Sequence, residues 1–156
     1  MSVNIGLDAK GREAVAKVLN QYLANLHVLY TKLHNYHWNI EGKGFFTIHG
    51  KLEELYNHTA EEIDEVAERV LTLGFRPAAT MKEYLALATL KEAASEAIQG
   101  EGIIKALQGD FEVIIGELRE ALRLADEHDD QVTVDLFVGT IANYEKTLWM
   151  FRAYLA

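Results

Sequence analysis

Apolar residues recur at steps of three and four along four long stretches of this chain. The stretches cover residues 9–38, 47–73, 102–127 and 131–154. In the first stretch, one apolar seam runs through Val15, Leu19, Tyr22, Leu26, Leu29, Leu33 and Tyr36. This spacing places the seam on one face of an α-helix, and that face must be buried against other helices. The sequence therefore predicts an all-α protein in which four long helices form a four-helix bundle.

The connections between the helices constrain their topology. Residues 39–46 contain two glycines and link the first two helices, with Thr47 predicted as the N-cap of the second. A connection of about 25 residues, 75–100, joins the second helix to the third, and within it Thr80–Leu85 is predicted to form a short capped helix. A connection that long can cross the length of the bundle, which is the ferritin-like topology. We therefore expect residues 1–156 to form a single ferritin-like domain.

Composition excludes several classes of protein. The chain has no cysteine, which rules out disulfides, thiolate catalysis and cysteine-bound zinc. Its N-terminus lacks an apolar signal segment and no apolar run reaches about 18 residues, so we expect a cytoplasmic protein without a membrane span. The formal charge is −9, and the N-terminal dozen residues carry only Lys10 and Arg12, partly balanced by Asp8. Because such a chain repels polyanions, DNA binding through a basic tail is disfavoured.

Histidines and acids are concentrated in residues 34–68. The stretch contains four of the six histidines, which are His34, His37, His49 and His58. It also contains two pairs of potential ligands spaced by four residues, His49 with Glu53 and Asp64 with Glu68. Residues four apart lie on one face of a helix, and imidazole with carboxylate suits iron or manganese better than calcium. Each pair therefore offers two donors to one metal ion.

His49 and Asp64 are too far apart to share an ion within one straight helix. The fifteen residues between them span about 22 Å at about 1.5 Å per residue. Either the two pairs are unrelated features, or two copies of the helix run antiparallel across a two-fold axis, so that each site takes its histidines from one chain and its acids from the other. The chain contains no Glu-x-x-His motif, which argues against the di-iron centre that ferritin-like proteins build inside one bundle.

Three motifs resemble the signature of the Dps family, the mini-ferritins named as DNA-binding proteins from starved cells. The motifs are His37-Trp38-Asn39, Gly44-Phe45-Phe46-Thr47-x-His49 and Asp64-Glu65-Val66-Ala67-Glu68-Arg69. The likeness extends over nearly the whole chain and includes the Thr80–Leu85 segment and the C-terminal Leu148–Leu155. It implies a homo-oligomer, a hollow shell of twelve subunits.

The resemblance also implies catalytic ferroxidase sites at two-fold interfaces, with His37 and His49 from one subunit and Asp64 and Glu68 from its partner. Each site is expected to bind iron, as Fe2+ or Fe3+, with room for two ions. Glu53 stands where the family often has aspartate, so it is expected as a further metal ligand with a longer arm. Members of the family oxidise Fe(II), preferably with hydrogen peroxide, and store ferric oxide in the shell, which protects the cell from oxidative damage.

Other residues that match family positions have two interpretations. Trp38 is either an electron donor that intercepts stray oxidants or a packing residue of the interface. Asp126, Asp130 and Asp135 resemble residues that line the family's three-fold iron-entry pore, although Gln131 occupies one pore position. The alternative is that these aspartates belong to a solvated turn and cap helices.

The remaining histidines and one acid complete the set of candidates. His34 is either an auxiliary metal ligand or a structural residue, and we interpret His27 and His58 as structural. Glu54 is a candidate for mineral nucleation inside the shell.

Two other functions compete with the iron-oxidising shell. The first is a DNA-compacting architectural protein of the same family, which would be associated with the nucleoid. The second is a structural bundle without catalytic activity, in which the histidines only pack.

Overall fold

Five helices and two very short strands make up the fold, in a computed structural model that describes residues 3–156. In chain order they are α1 (Ala9–Asn39), β1 (Ile40–Glu41), α2 (Phe45–Thr72), α3 (Met81–Leu87), β2 (Ile98–Gln99), α4 (Gly100–Glu127) and α5 (Gln131–Leu155). The four long helices form a bundle, and α3 lies in the connection between α2 and α4. The predicted all-α ferritin-like bundle with a short extra helix is confirmed.

Helices α1 and α2 run antiparallel. At one end of the pair, Arg12 Nη1 donates to the carbonyl oxygen of Leu73 at 2.7 Å. At the other end, the ring of His37 lies against the ring of His49. The direction follows from the short link between the two helices, which leaves the chain room only to turn back on itself.

Helix α1 is also antiparallel to α4. Because both α2 and α4 are antiparallel to α1, they run parallel to each other. Asn25 of α1 donates to Glu117 of α4 at 2.8 Å, and Lys32 lies 2.7 Å from Asp110, so residue numbers rise on one helix as they fall on the other. A chain that leaves α2 must then travel the length of the bundle to begin α4. The long connection between α2 and α4 is needed because the two helices are parallel.

Buried polar side chains of α1 hold this connection in place. The side-chain oxygen of Asn25 accepts hydrogen bonds from the backbone nitrogens of Thr89, at 2.8 Å, and Leu90, at 3.1 Å. Lys32 Nζ donates to the carbonyl of Lys91 at 2.8 Å. The bond to Leu90 satisfies the backbone nitrogen of a buried residue, and the other two bonds fix the exposed residues on either side of it.

The start of α2 corrects one prediction. The helix begins at Phe45 with Gly44 as N-cap, and Thr47 lies inside the first turn, so the predicted Thr47 cap was wrong. Gly44 has φ of 80°, a conformation that glycine adopts without steric cost. The turn at Gly44 therefore places the N-cap three residues before the predicted cap at Thr47. In contrast, the predicted cap at Thr80 is confirmed, since Thr80 and Glu83 form a capping box at the start of α3.

A two-residue strand pair was not predicted. Ile40 and Glu41 pair in parallel with Ile98 and Gln99, which ties the end of α1 to the start of α4. Two residues are too short for a periodic signal in the sequence.

The core is one continuous cluster of apolar side chains from all four long helices. The largest fully buried members are Phe137, Leu19, Leu23, Leu26, Leu29, Leu33, Leu52, Leu73, Ile103, Leu107, Ile114 and Leu118. Across residues 3–156, no helix combines the length and apolar character needed to cross a membrane.

Candidate metal centre

His37, in the last turn of α1, and His49, near the start of α2, each hydrogen-bond to the backbone of the other. His37 Nδ1 lies 2.9 Å from the carbonyl oxygen of His49, and His49 Nδ1 lies 2.8 Å from the carbonyl oxygen of His37. The two rings stack with centroids 3.6 Å apart and planes 18° apart. Because a carbonyl oxygen can only accept a hydrogen bond, each Nδ1 must donate one. In each neutral ring the Nε2 lone pair is then free, which is the state that binds a metal ion.

Aromatic neighbours hold these two rings in position. Phe45 stacks on His49 with centroids 4.9 Å apart, and Tyr56 meets His37 edge-on at 5.2 Å. His37 is buried while His49 is half-buried. The Gly44 turn makes this possible, because it begins α2 early enough to place His49 beside the last turn of α1.

The acidic candidates lie elsewhere on α2. Asp64 and Glu68 are exposed, one turn apart, and neither forms an ion pair or a side-chain hydrogen bond with any residue in 3–156. Glu53 is exposed one turn after His49, where its charge adds to desolvation in raising the pKa of the Tyr56 phenol. Among the described residues, no three histidines or acids converge in a geometry that could hold a metal ion. One chain thus brings together His37 and His49 but not their proposed acidic partners.

His34 and Trp38 belong to an aromatic cluster next to the histidine pair. His34 Nδ1 donates to the carbonyl of Tyr30 at 2.9 Å, and its ring stacks on Tyr56 with centroids 3.9 Å apart. Trp38 is 70% exposed, and its ring lies 5.2 Å from that of His34. His34 is therefore linked to His37 through the ring of Tyr56, and Trp38 contacts His34.

The aspartates of the predicted pore are in different environments. Asp130 is 2% exposed, caps α5 by accepting from the Thr133 backbone at 3.0 Å, and pairs with Arg69 at 2.7 Å. The capping interpretation is thus confirmed for Asp130. Asp126 is exposed and accepts from Gln131 at 3.1 Å, and Asp135 is exposed, so these two are free to face solvent.

The other two candidates have local partners. Glu54 is exposed and pairs with Lys51 at 2.9 Å on the surface of α2. His27 stacks on Tyr84 of α3 with ring centroids 3.7 Å apart, which gives it a packing role.

Sequence reasoning missed a buried acid in the middle of the bundle. Glu62 is 6% exposed, and Tyr144 Oη donates to its Oε2 at 3.3 Å, with Tyr22 Oη a further 3.2 Å behind. Burial raises the pKa of Glu62 to about 7. The signal was present, because Glu62 falls three residues after Thr59 and four before Val66 in the apolar seam of α2.

Comparison with known proteins identifies the family. A family described as a ferritin-like domain matches residues 16–156. "DNA protection during starvation protein 2" of Bacillus anthracis is 46% identical over 141 residues, which cover 90% of this chain and 96% of the relative. "General stress protein 20U" of Bacillus subtilis is 48% identical over 143 residues, which cover 92% of this chain and 98% of the relative.

Solved structures agree with these relatives. A Dps protein from Bacillus brevis aligns with a TM-score of 0.91 at 42% identity, over 94% of this chain and 98% of that one. A Dps protein from Vibrio cholerae, described as a member of a broad superfamily of ferritin-like diiron-carboxylate proteins, aligns with a TM-score of 0.94 at 39% identity, over 100% of this chain and 98% of that one. The chain described here belongs to the Dps family of ferritin-like proteins.

Proposed function

We propose that this protein is a ferroxidase and iron-storage protein that oxidises Fe(II) at sites shared between two subunits. The observation that carries the proposal is the reciprocal hydrogen bonding of His37 and His49. Both rings are fixed with Nδ1 donating, so the Nε2 lone pairs of two stacked rings are available to Fe(II) without any change of tautomer. Iron is the substrate and the stored product of this reaction.

The acidic half of each site is proposed to come from a second subunit. Asp64 and Glu68 are exposed and have no partner within residues 3–156. Asp64 lies about 22 Å along α2 from His49, and Glu68 lies one turn further away. A two-fold axis would place the acidic turn of each copy opposite the histidines of the other and so create two identical sites. Glu53, one turn from His49, is positioned to add a carboxylate from the histidine side.

This donor set suits the oxidation of iron. Imidazole and carboxylate bind Fe(II), and the carboxylates favour the ferric product, which lowers the reduction potential. Two Fe(II) ions supply the two electrons that convert one hydrogen peroxide and two protons into two waters, so no radical is released. We propose hydrogen peroxide as the preferred oxidant for this reason.

The proposal extends to the assembly. We propose a cytoplasmic dodecamer that stores ferric oxide in its interior, with Asp126 and Asp135 as the exposed acids that attract iron to a pore. Asp130 contributes to that region by positioning the start of α5, since its carboxylate is already bound to Arg69 and the helix cap. Trp38, exposed beside His34, is the proposed donor of an electron when the iron supply is incomplete.

Replacing both His37 and His49 by alanine tests the catalytic role. Peroxide-dependent Fe(II) oxidation, followed by ferric absorbance, is expected to slow by at least about ten-fold, because both nitrogen ligands are lost. His128→Ala is the matched control, since His128 is partly exposed near Asp8 at the far end of α1. Size-exclusion chromatography should show the same assembly for all three proteins. An unchanged oxidation rate in an assembled double variant would mean that His37 and His49 only pack and do not bind iron.

Mixing two inactive variants tests whether each site is shared. One variant lacks His37 and His49, and the other lacks Asp64 and Glu68. A mixed dimer then contains one site in which both histidines and both of Asp64 and Glu68 are replaced, and one site in which all of these ligands are intact. Random co-assembly is expected to restore about a quarter of the wild-type activity, because half of the dimers are mixed and half of their sites are complete. Sites built within one chain would give no restoration.

DNA compaction is not part of the proposal. The formal charge of −9 makes the protein repel DNA unless a basic patch is segregated, and the N-terminal Lys10 and Arg12 are too few to form one. Plasmid DNA is expected to migrate unretarded with this protein in a gel at low salt and neutral pH. Retention of the plasmid would contradict this.

A further inference from the structure

A small polar cavity lies between α2 and α5, away from the histidine pair. Its volume is about 270 Å³, and its polar lining comes from His58, Glu62, Glu65, Asp135, Asn143 and Thr140. Three of these side chains carry carboxylates, and neither lysine nor arginine contributes to the lining. A concave site lined by one sign of charge concentrates cations.

Three polar side chains meet at one point of this cavity. His58 Nε2 lies 3.7 Å from Glu62 Oε1 and 2.8 Å from the side-chain amide of Asn143. His58 and Glu62 are one turn apart on α2, and Asn143 faces them from α5. A half-turn of the Asn143 amide exchanges its nitrogen for its oxygen and presents a third electron-pair donor.

Glu62 is the unusual member of the group. Its side chain is 8% exposed, yet the groups behind it are the neutral phenols of Tyr144 and Tyr22. The phenols lie on the core side, at Oε2, whereas Oε1 is on the side of His58 and the cavity. A buried carboxylate without a positive partner is costly, and a cation bound at Oε1 would compensate its charge.

We propose that this cavity binds one divalent transition-metal ion through His58 Nε2, Glu62 Oε1 and the side-chain oxygen of Asn143. Two ligands about 2.1 Å from one ion in a tetrahedral site are about 3.4 Å apart. The 3.7 Å between His58 and Glu62 therefore needs a small closure, and the 2.8 Å between His58 and Asn143 needs a small opening. The imidazole selects Zn2+, Co2+ or Fe2+ over Mg2+ and Ca2+. Water completes the coordination.

This site is separate from the proposed ferroxidase centre. Asp64 follows Glu62 by two residues, which turns it about 200° around the helix, so the two carboxylates face opposite directions. All three ligands of the cavity site come from one chain. Binding therefore requires neither a second subunit nor the oxidation reaction.

Cobalt titration of the full-length chain tests the site. After EDTA treatment, Co2+ binding is measured by equilibrium dialysis and by visible absorption, which reports the ligands around Co2+. The starting protein is the His37→Ala, His49→Ala double variant, so that the other histidine site is silent. We expect about one Co2+ per chain at this cavity, and adding His58→Ala or Glu62→Gln should weaken it by at least about ten-fold. Glu61→Gln, which changes an exposed neighbour outside the cavity, should leave the affinity unchanged.

Two results would overturn the proposal. One is a double variant that binds no Co2+, and the other is bound Co2+ whose affinity and spectrum are unaffected by both His58→Ala and Glu62→Gln. If the double variant fails to assemble, a second measurement uses the unmodified protein. Crystals of that protein soaked in Co2+ should show an anomalous peak between His58 and Glu62. Absence of that peak refutes the site. Oxidation rates do not enter either measurement, so failure of the proposed ferroxidase function would be recognised separately.

Discussion

Replacing Glu62 by glutamine is expected to stabilise the metal-free protein at alkaline pH. Glu62 is buried against the phenols of Tyr144 and Tyr22, and burial raises its pKa from the ordinary 4.5 to about 7. Above pH 7 the native state must hold an ionised carboxylate that the unfolded chain exposes to water. Glutamine has the same shape and can still accept the hydrogen bond from Tyr144, but it carries no charge.

The shift in pKa fixes both the sign and the size of the effect. Between about pH 4.5 and 7 the native protein keeps a proton on Glu62 that the unfolded chain has lost, so wild-type stability falls as the pH rises through this window. A shift from 4.5 to about 7 corresponds to about 3 kcal/mol, at about 1.36 kcal/mol per pKa unit. The Glu62→Gln variant should therefore exceed the wild type by up to about 3 kcal/mol at pH 8 relative to their difference at pH 4.

Urea unfolding at pH 4, 6 and 8, with EDTA and at one protein concentration, measures this difference. The fixed concentration is needed because subunit association also contributes to stability. Glu61→Gln is the matched control, since Glu61 is an exposed acid on the same helix that does not line the cavity with Glu62, and its replacement should change stability by less than about 0.5 kcal/mol at each pH. If the difference between Glu62→Gln and the wild type is the same at pH 4 and pH 8, the carboxylate is not held in the apolar environment inferred here.

Two further substitutions test how α2 and α5 are held in position. Asp130→Ala removes the cap of α5 and leaves the charge of Arg69, whose side chain is 12% exposed, without its partner. It should destabilise the protein by about 3–5 kcal/mol in thermal or urea unfolding. The control Asp135→Ala should have little effect on stability. Gly44→Ala places a side chain at φ of 80° and should cost about 1–2 kcal/mol, whereas Gly50→Ala, with open space around the added carbon, should stabilise α2 by up to about 1 kcal/mol. The reasoning fails if the two glycine substitutions change stability in the same direction.

The helices could be predicted from the sequence because each carries a long apolar seam. The predicted ranges 9–38, 102–127 and 131–154 agree with α1, α4 and α5 to within two residues at each end. Burial of a seam favours one helical register over many residues, so it gives a strong periodic signal. The start of α2 depends instead on the backbone conformation of one glycine, Gly44, and a plausible cap at Thr47 was therefore misleading.

The candidate site could be predicted only in part. Residue type and spacing single out His37 and His49, but the exchange of hydrogen bonds between their Nδ1 atoms and backbone carbonyls depends on how the α1–α2 turn brings them together. Spacing along one helix also cannot show which residue of α5 faces which residue of α2. His58 was accordingly interpreted as structural, although Asn143 lies 2.8 Å from its Nε2.

Helix α2 can serve two sites because successive residues of a helix point in different directions. The exposed Asp64 and Glu68 point to solvent, where a second subunit can reach them, whereas Glu62 points to α5 and to the phenols behind it. The two sets of ligands share one backbone but no side chain. Loss of His37 and His49 should therefore abolish oxidation and leave Co2+ binding at the cavity unchanged. Loss of His58 should weaken Co2+ binding at the cavity and leave oxidation unchanged. If the double variant and the His58 variant each impaired both properties, the two sites would not be independent, and one shared centre would have to explain both.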